Sequence, residues 1–294
     1  NAVGVDIGCG LHAIQTGIRY DPERMDGRFW RDWASAAGRE IPTGFASHKV
    51  PQKLGPLDRK LCASGLQMLL RQKAAYQLGT LGGGNHFLEA QVDEEGELWL
   101  MVHSGSRHTG LRIANHYNGV AIDVTEQRRI VVGRDLASLP LDDQVAQDYL
   151  ADMQWATDFA LANREEMGRK LLRALWRTMD ARRLPIETDA VRKIINIHHN
   201  FARLEEHGGQ QVMVHRKGAT SAAAGELGVI PGSMGSHSYI VRGLGNEASF
   251  ESCSHGAGRV MGRNVARKTI SPAEFAASLA GTFSKASMSY VDEA

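Results

Sequence analysis

Apolar and polar residues alternate along the chain in two kinds of run, short runs typical of strands and longer runs typical of helices. Period-two runs bounded by glycine-rich turns predict strands. Such runs occur at 3–7, 12–18 and 86–91, with the turn IGCG between the first two, and within 97–107, 191–200, 210–214 and 238–244. Within 97–107 we expect the strand to be followed by a loop.

Apolar residues at three- and four-residue spacing predict helices at 21–38, 57–76 and 142–180. The last stretch predicts two helices of an outer layer, with no site residues. Near the end of the chain, Ser271, Pro272 and Glu274 have the types expected at the N-cap, N1 and N3 positions of a helix. Strands and helices alternate irregularly, which predicts an α+β fold rather than a regular doubly wound sheet.

The composition is that of an ordinary globular protein. With 294 residues, 43% of them hydrophobic and 23% charged, the chain can bury a sizeable core. A net charge of +1 gives no overall signature of nucleic-acid binding, so any such surface has to be local. Three cysteines argue for a reducing compartment, and no apolar run approaches the length of a membrane span. We therefore expect a cytoplasmic protein without membrane association.

Chemically versatile side chains cluster at the ends of the predicted strands or in the turns that follow. The clusters are DIGCG (6–10), GGGNHFLE (82–89), VHSGSR (102–107), IHHN (197–200), HRKG (215–218), PGSMGSHS (231–238) and SHGAGR (254–259). Strand ends are where ligand groups gather in proteins with mixed secondary structure, so we expect these clusters to converge on one cleft. Because they span nearly the whole chain, one domain over 1–294 is the simplest arrangement.

Asp6, Cys9 and several histidines are of the types that bind a transition metal. Carboxylate, imidazole and thiolate together favour zinc on ligand type alone, and a shared thiolate could bridge two ions. Each residue taken singly has a plainer interpretation, because lone histidines and cysteines are more often packed in a core. His198 and His199 are adjacent on a predicted strand, so at most one of them faces the cleft if the strand is regular.

Three glycine-rich turns, GGGNH, PGSMG and HGAG, have backbone N–H groups that could cradle phosphates. None matches a Walker or Rossmann fingerprint, and three tight turns without a ligand remain the alternative. Arg107 and Arg259 share loops with candidate site histidines, which makes them the preferred arginines for contact with RNA phosphates. Arg216 and Lys217 are weaker candidates for that contact.

Eight ordered blocks of the chain resemble the RtcB family of RNA ligases: VGVDIGCG, LGGGNHFLE, VHSGSR, HHN, RKGA, IPGSMG, YIVRGLGN and SCSHGAGR. The resemblance covers nearly the whole chain. It implies an α+β domain with packed mixed β-sheets around a central metal and nucleotide cleft and helices outside. It also implies an enzyme of tRNA splicing or RNA repair that seals RNA ends bearing a 2′,3′-cyclic phosphate or 3′-phosphate to 5′-hydroxyl ends, using GTP and two Mn²⁺ ions.

The resemblance also implies a role for individual residues. His255 would carry GMP covalently and pass it to the RNA 3′-phosphate, giving RNA-3′-pp-5′-G. One Mn²⁺ would be bound by Asp6, Cys9 and His86, and the other by Cys9, His103 and His199. Contacts to GMP are implied for Asn85, His86, Phe87, Leu88, Glu89, His199, Asn200, Pro231, Gly232, Ser233, Met234, Ser238, His255, Gly256, Ala257 and Gly258.

Two other functions remain open at this point. A two-metal phosphoesterase on the same scaffold would need the metal ligands but not His255. A non-catalytic RNA-binding paralogue would be expected to have lost a ligand, and each expected ligand is present. For the metal we follow the family and expect manganese, because affinity order alone rarely sets occupancy in cells. Family members usually continue beyond both ends of this sequence, with a guanine-contacting lysine in the C-terminal tail, so we expect further residues there.

Overall fold

The computed structural model describes residues 3–133, 136–185, 191–285 and 291. The helices are α1 (Gly27–Glu40), α2 (Ser64–Gln77), α3 (Arg107–Gln127), α4 (Gln144–Ala181), α5 (Arg263–Thr269) and α6 (Pro272–Ser278). The strands are β1 (Gly10–Arg19), β2 (Phe87–Val92), β3 (Glu97–Ser104), β4 (Lys193–His198), β5 (Asn200–His207), β6 (Gln210–Lys217), β7 (Ala219–Ser221), β8 (Leu227–Ile230), β9 (Tyr239–Arg242) and β10 (Ser252–Ser254). In these ranges, no helix is both long and apolar enough to cross a membrane.

A four-stranded antiparallel sheet in the order β2-β3-β1-β4 forms the centre of the fold. All eight residues of β3 are buried, because both faces of the sheet are covered. On one face, Leu100 and Val102 pack with side chains of α1 and α4. On the other face, Trp99 and Met101 pack with Val229 of β8. The predicted α+β fold is confirmed.

Three two-stranded antiparallel sheets, β5–β6, β7–β10 and β8–β9, complete the strand pairing of the described residues. The strand character of β5 was not predicted from the sequence. It forms a hairpin with β6 that closes at Gly208 and Gly209, whose φ angles are 58° and 75°. Two consecutive positive φ angles belong to the type I′ turn, which glycine adopts without steric cost.

The strand predicted at 3–7 is wrong, because this segment forms bends and a turn. The Cys9 N–H donates to the Asp6 carbonyl (3.1 Å), and Gly4 and Gly8 have φ angles of 81° and 74°. Residues three apart in a strand point to opposite faces. The turn instead brings the side chains of Asp6 and Cys9 into one site.

The division of 142–180 into two helices is also wrong, because α4 is a single helix of 38 residues. Gly168 lies in its interior, where glycine normally weakens a helix. A Cβ atom there would lie 2.5 Å from Nε2 of His12 on β1, so the glycine permits close packing of helix on sheet. By contrast, the helix start predicted at Ser271 is confirmed, and its capping box with Glu274 is complete.

The predicted contact of Arg216 with RNA is wrong, because the side chain is only 1% exposed. Its guanidinium donates to both carboxylate oxygens of Glu205 (2.5 and 2.9 Å), to Ser252 Oγ (2.9 Å) and to the Phe250 carbonyl (2.9 Å). Arg216 therefore joins the β5–β6 hairpin to the segment that leads into β10.

Glu205→Gln should lower the free energy of unfolding near pH 7 by about 1–3 kcal/mol, the usual size for charge-assisted hydrogen bonds. Burial raises the pKa of Glu205, but hydrogen bonds from Arg216, His207 and Arg203 outweigh it and lower the pKa to about 2. The stabilisation is complete above the ordinary pKa of 4.5 and is lost as the pH falls towards 2. Urea unfolding between pH 7 and pH 2.5 should show the two proteins converging.

Glu206→Gln is the matched control, since Glu206 is the exposed neighbour on the same strand. It should follow the wild type over the whole pH range. A gap between wild type and Glu205→Gln that stays constant with pH would show that the charge of Glu205 is not its source.

Asp152 on α4 is a second buried carboxylate that joins separate elements. It accepts hydrogen bonds from the N–H groups of Cys62 (2.8 Å) and Ala63 (3.0 Å) and from the hydroxyl of Tyr117 (2.8 Å). The N-cap residue of α2, Ala63, has no capping side chain, so Asp152 supplies the acceptor from across the core.

Asp152→Ala should destabilise the protein by about 1–3 kcal/mol, because three donors lose their acceptor in a buried environment. Tyr117→Phe removes one of the three bonds and should cost less. Chemical denaturation measures both. Asp123→Ala, at an exposed carboxylate on α3, is the control and should change little; equal effects at Asp123 and Asp152 would contradict the capping role.

Candidate active site

Four strand ends meet at one edge of the central sheet. The register places Gly10, the first residue of β1, opposite both Ser104 and His198, the last residues of β3 and β4. Phe87, the first residue of β2, lies opposite His103. The polar residues that precede or follow these positions in the sequence are therefore brought together in space.

Two groups of three side chains at this edge share the thiol of Cys9. Its Sγ lies 3.3 Å from His103 Nε2 and 3.5 Å from His86 Nε2. His103 Nε2 is 3.3 Å from His199 Nε2, and His86 Nε2 is 3.1 Å from Asp6 Oδ2. Within each triad, Cys9–His103–His199 and Asp6–Cys9–His86, one donor atom of each residue lies within 4.8 Å of the others. Each triad can hold a metal ion.

Backbone carbonyls orient two of the imidazoles. His86 Nδ1–H donates to the Leu81 carbonyl and His103 Nδ1–H donates to the Asn85 carbonyl, both at 2.9 Å. These bonds leave the Nε2 lone pairs directed towards the thiol, as in many metal-binding histidines. Nδ1 of His199 is buried and has no hydrogen-bond partner among the described residues. A buried polar atom without a partner lowers the stability of the folded protein.

The pKa shifts at this edge suit a cation. Burial lowers the pKa of His103 to about 3 and that of His199 well below its usual value, so both rings are neutral at pH 7. Burial raises the pKa of Asp6, but the hydrogen bond and charge of His86 outweigh it and leave the pKa lowered. Burial and the charge of Asp6 raise the pKa of Cys9 well above its usual value. Coordination to a metal ion would deprotonate this thiol, and carboxylate, thiolate and imidazole together suit a divalent transition metal.

His255 lies beside this donor set, at the end of β10. Its ring centroid is 4.6 Å from that of His199. Nδ1–H donates to the carbonyl of Gly218 (2.6 Å), so the lone pair of the ring is on Nε2. Gly218 has a φ of 65°, and a Cβ atom there would lie 3.1 Å from His255 Cε1. The structure therefore brings an oriented imidazole next to two potential metal sites.

Two glycine-rich loops adjoin each other next to His255. The Ala257 N–H donates to the Pro231 carbonyl (3.2 Å), and the Gly232 N–H donates to Ser238 Oγ (3.4 Å). The first bond joins the segment after β10 to the loop 231–238 between β8 and β9. The remaining candidate residues of these two segments are Ser233, Met234, Gly256 and Gly258.

The same loop 231–238 contacts β2 through Gln91, whose Nε2 donates to Glu89 (2.9 Å) and to Ser238 Oγ (3.0 Å). Burial raises the pKa of Glu89 to about 7, although the hydrogen bond with Ser238 opposes this. The ring of Phe87 lies against that of His103 in a tilted arrangement, with ring centroids 5.4 Å apart. Asn85 and Leu88 flank these positions.

Asn200 connects the two halves of the site. Its Nδ2 donates to the Asp6 carbonyl (3.2 Å), and its Oδ1 accepts from the Gly218 N–H (2.9 Å). Gly218 in turn accepts the bond from His255. The Asn200 side chain thus connects the turn that carries Asp6 to the carbonyl that orients His255.

His198 and His199 behave as their adjacency predicted. His199 joins the donor set, whereas His198 is directed away from that set, with its Nδ1 2.9 Å from the Gly8 carbonyl.

The two arginines predicted to contact RNA differ in exposure. Arg107 is partly buried and donates to Thr80 Oγ1 (3.0 Å) and the Gly44 carbonyl (2.9 Å), while Arg259 is exposed in the loop after His255. Their contact with RNA stays a prediction.

The sequence interpretation missed two residues of α4. Asn163 and Arg164 are completely buried. Asn163 Oδ1 accepts from the N–H groups of Gly79 (2.7 Å) and Thr80 (3.1 Å). Arg164 donates to backbone carbonyls at the edge that carries the donor set. The available signal was two polar residues at positions where the helical spacing of Phe159, Ala160, Met167 and Gly168 calls for apolar ones.

Comparison with known proteins agrees with this geometry. A family model described as "tRNA-splicing ligase RtcB" matches residues 59–294. The chain is 40% identical over 290 residues to the RNA-splicing ligase RtcB of Escherichia coli K12, covering 92% of this chain and 69% of that protein. It is 31% identical over 341 residues to the RNA-splicing ligase RtcB of Mycobacterium tuberculosis (95% and 77% covered) and 29% identical over 335 residues to the tRNA-splicing ligase RtcB of Aeropyrum pernix (91% and 68%). With the family model matching most of its length and relatives covered over two thirds of theirs, the chain belongs to the RtcB family.

Proposed function

We propose that this protein is an RNA ligase that joins ends bearing a 2′,3′-cyclic phosphate or 3′-phosphate to 5′-hydroxyl ends, in tRNA splicing or RNA repair. The position of His255 beside two donor triads that share Cys9 supports this most strongly. Membership of a family whose relatives are named RNA-splicing ligases supports the ligase class. A reducing compartment, the cytoplasm, fits an enzyme that needs Cys9 as a free thiol.

We assign the triads to two Mn²⁺ ions, for which Cys9 would be a ligand common to both sets. Asp6 and His86 would complete one set of ligands, and His103 and His199 would complete the other. The neutral buried imidazoles and the ionised carboxylate fit a divalent ion, which is supported by the pKa directions at these residues. When bound, such ions neutralise phosphate charge and orient the leaving group.

His255 is the proposed nucleophile. Because its Nδ1 proton is held on the Gly218 carbonyl, Nε2 can attack the α-phosphorus of GTP without the help of a base. The N–P bond forms as the bond from phosphorus to the pyrophosphate oxygen breaks, and pyrophosphate leaves. An oxygen of the RNA 3′-phosphate then attacks the same phosphorus, the N–P bond breaks, and His255 is released for the next cycle.

Ligation follows in the same cleft. The RNA 5′-hydroxyl oxygen attacks the activated 3′-phosphate, GMP leaves, and the hydroxyl proton passes to solvent. The chain would hold GMP between the adjoining segments Pro231 to Met234 and Gly256 to Gly258, which the bond from the Ala257 N–H to the Pro231 carbonyl keeps together. Glu89 and Ser238, joined through Gln91, are the proposed side-chain contacts, and Asn85 and Asn200 flank them.

His255→Ala should abolish covalent labelling by α-³²P-GTP in the presence of Mn²⁺, because the variant lacks the imidazole that lies beside the donor set. The wild type should form an acid-labile, alkali-stable adduct, as expected for a phosphoramidate. His215→Ala, at an exposed histidine of β6, is the control and should label normally.

Labelling that survives in His255→Ala would move the nucleophile elsewhere. A full-length wild-type protein that binds the metal and forms no adduct would overturn the ligase and leave the two-metal phosphoesterase and the non-catalytic RNA-binding protein as the alternatives.

Cys9→Ala should also abolish labelling and weaken metal binding by about 10–100-fold or more, since both proposed ion sites lose a ligand. Metal content after dialysis and adduct formation measure the two effects. Cys62→Ser is the matched control, because Cys62 is exposed and lies outside both triads. Normal labelling of Cys9→Ala would discard the shared thiolate.

A further inference from the structure

Arg164 is a charged side chain buried completely within α4. Its acceptors are neutral. They are the carbonyls of Gly8 (2.7 Å) and Ser104 (3.0 Å) and the amide oxygen of Asn196 (2.8 Å), with Nδ1 of His198 3.3 Å away. The planar guanidinium therefore donates hydrogen bonds to three different segments of the chain.

Each of these contacts adjoins a residue of the proposed metal site. Gly8 precedes Cys9, Ser104 follows His103, and His198 precedes His199. The ladders of the central sheet end at this level, where Gly10 is opposite Ser104 and His198. Beyond it, backbone hydrogen bonds still join Cys9 to His199 and Gly8 to Asn200, and Arg164 adds the link from Gly8 to Ser104.

Burial of the charged Arg164 side chain costs folding free energy, which a purely structural role would not require. Moving a cation away from water costs several kcal/mol unless it is compensated, and an apolar side chain of similar volume is often as stable or more stable. Burial lowers the pKa of Arg164 to about 10, although the charges of Cys9 and Asp6 oppose this, so the side chain stays charged at pH 7. A neighbouring Asn196, itself held by a bond from its Nδ2 to the Leu161 carbonyl (3.1 Å), fixes the orientation of the fork.

We propose that Arg164 is a positioning residue for the metal site, and that its fork sets the spacing between ligands that come from three separate strand ends. This role rests on the two-ion site proposed above. Arg164 itself is not a ligand of the metal ions and does not contact the substrate. Its effect is on the affinity and symmetry of metal coordination by the thiolate of Cys9 and the two imidazoles next to it.

Arg164→Lys tests this role. Lysine keeps the charge, but all its N–H donors are on one nitrogen, which cannot reach all the groups that accept hydrogen bonds from the Arg164 guanidinium. The readout is titration with Co²⁺, followed by the near-ultraviolet charge-transfer absorption of the Co²⁺–thiolate bond. We expect the dissociation constant for Co²⁺ to rise about 10–100-fold, the usual effect of losing a group that orients metal ligands. The thiolate band should weaken or shift, and the Mn²⁺ concentration for half-maximal labelling should rise in parallel.

Arg216→Lys is the matched control. Arg216 is equally buried, and its hydrogen bonds in the described part of the chain go to Glu205, Phe250 and Ser252 rather than to the segments that carry the metal-type ligands. This variant should lose stability and keep the Co²⁺ affinity of the wild type. If Arg164→Lys does not fold, Asn196→Ala can be used instead. It removes one acceptor of the Arg164 guanidinium and should give a smaller rise in the dissociation constant for Co²⁺.

The outcomes separate the two proposals. A wild type with no thiolate band overturns the metal site and this role with it. A wild type with the band, together with unchanged affinity and band shape in the folded Arg164→Lys or Asn196→Ala protein, overturns the positioning role alone. Equal losses of affinity in Arg164→Lys and Arg216→Lys would also overturn it, because they would reflect general destabilisation.

Discussion

The antiparallel register of β1 with β3 and β4 is the constraint on which the rest of the site depends. It sets Gly10 opposite Ser104 and His198, so the residues next to each strand end share one edge of the sheet. A shift of one residue would turn the side chain of His103 to the opposite face. Burial of β3 on both faces stabilises this register, because slippage would move apolar side chains out of two cores.

Burial at this edge creates a polar site that is incomplete without a ligand. The imidazoles of His103 and His199 are neutral, the Cys9 thiol is held in its protonated form, and one ring nitrogen has no partner among the described residues. Polar groups that lack partners inside a protein are costly. A divalent ion would bind the Nε2 atoms and the thiolate together, whereas Nδ1 of His199, on the other side of its ring, would still have no partner among the described residues.

The proposed nucleophile, His255, and the proposed nucleotide loops belong to a different part of the fold. His255 follows β10, which pairs with β7, and the buried pair Arg216–Glu205 ties that segment to the β5–β6 hairpin. Asn200 then connects this part to the Asp6 turn through Gly218. The metal-type ligands therefore lie at the edge of the central sheet and His255 at the end of a two-stranded sheet, and the two parts meet through Asn200 and through backbone bonds at His199 and Asn200.

Much of this protein can be predicted from the sequence. Periodicity predicts β2, β3 and most helices, and the ordered glycine and histidine blocks indicate the family and the residues that meet at the cleft, because local residue types carry both signals. Other features depend on tertiary contacts. The turn at Asp6–Cys9, the unbroken α4, the burial of Arg216 and the role of Arg164 are set by partners tens to more than a hundred residues away. The sequence alone does not determine whether an arginine is exposed to RNA or buried under a sheet edge, because this depends on the packing of distant residues around the side chain.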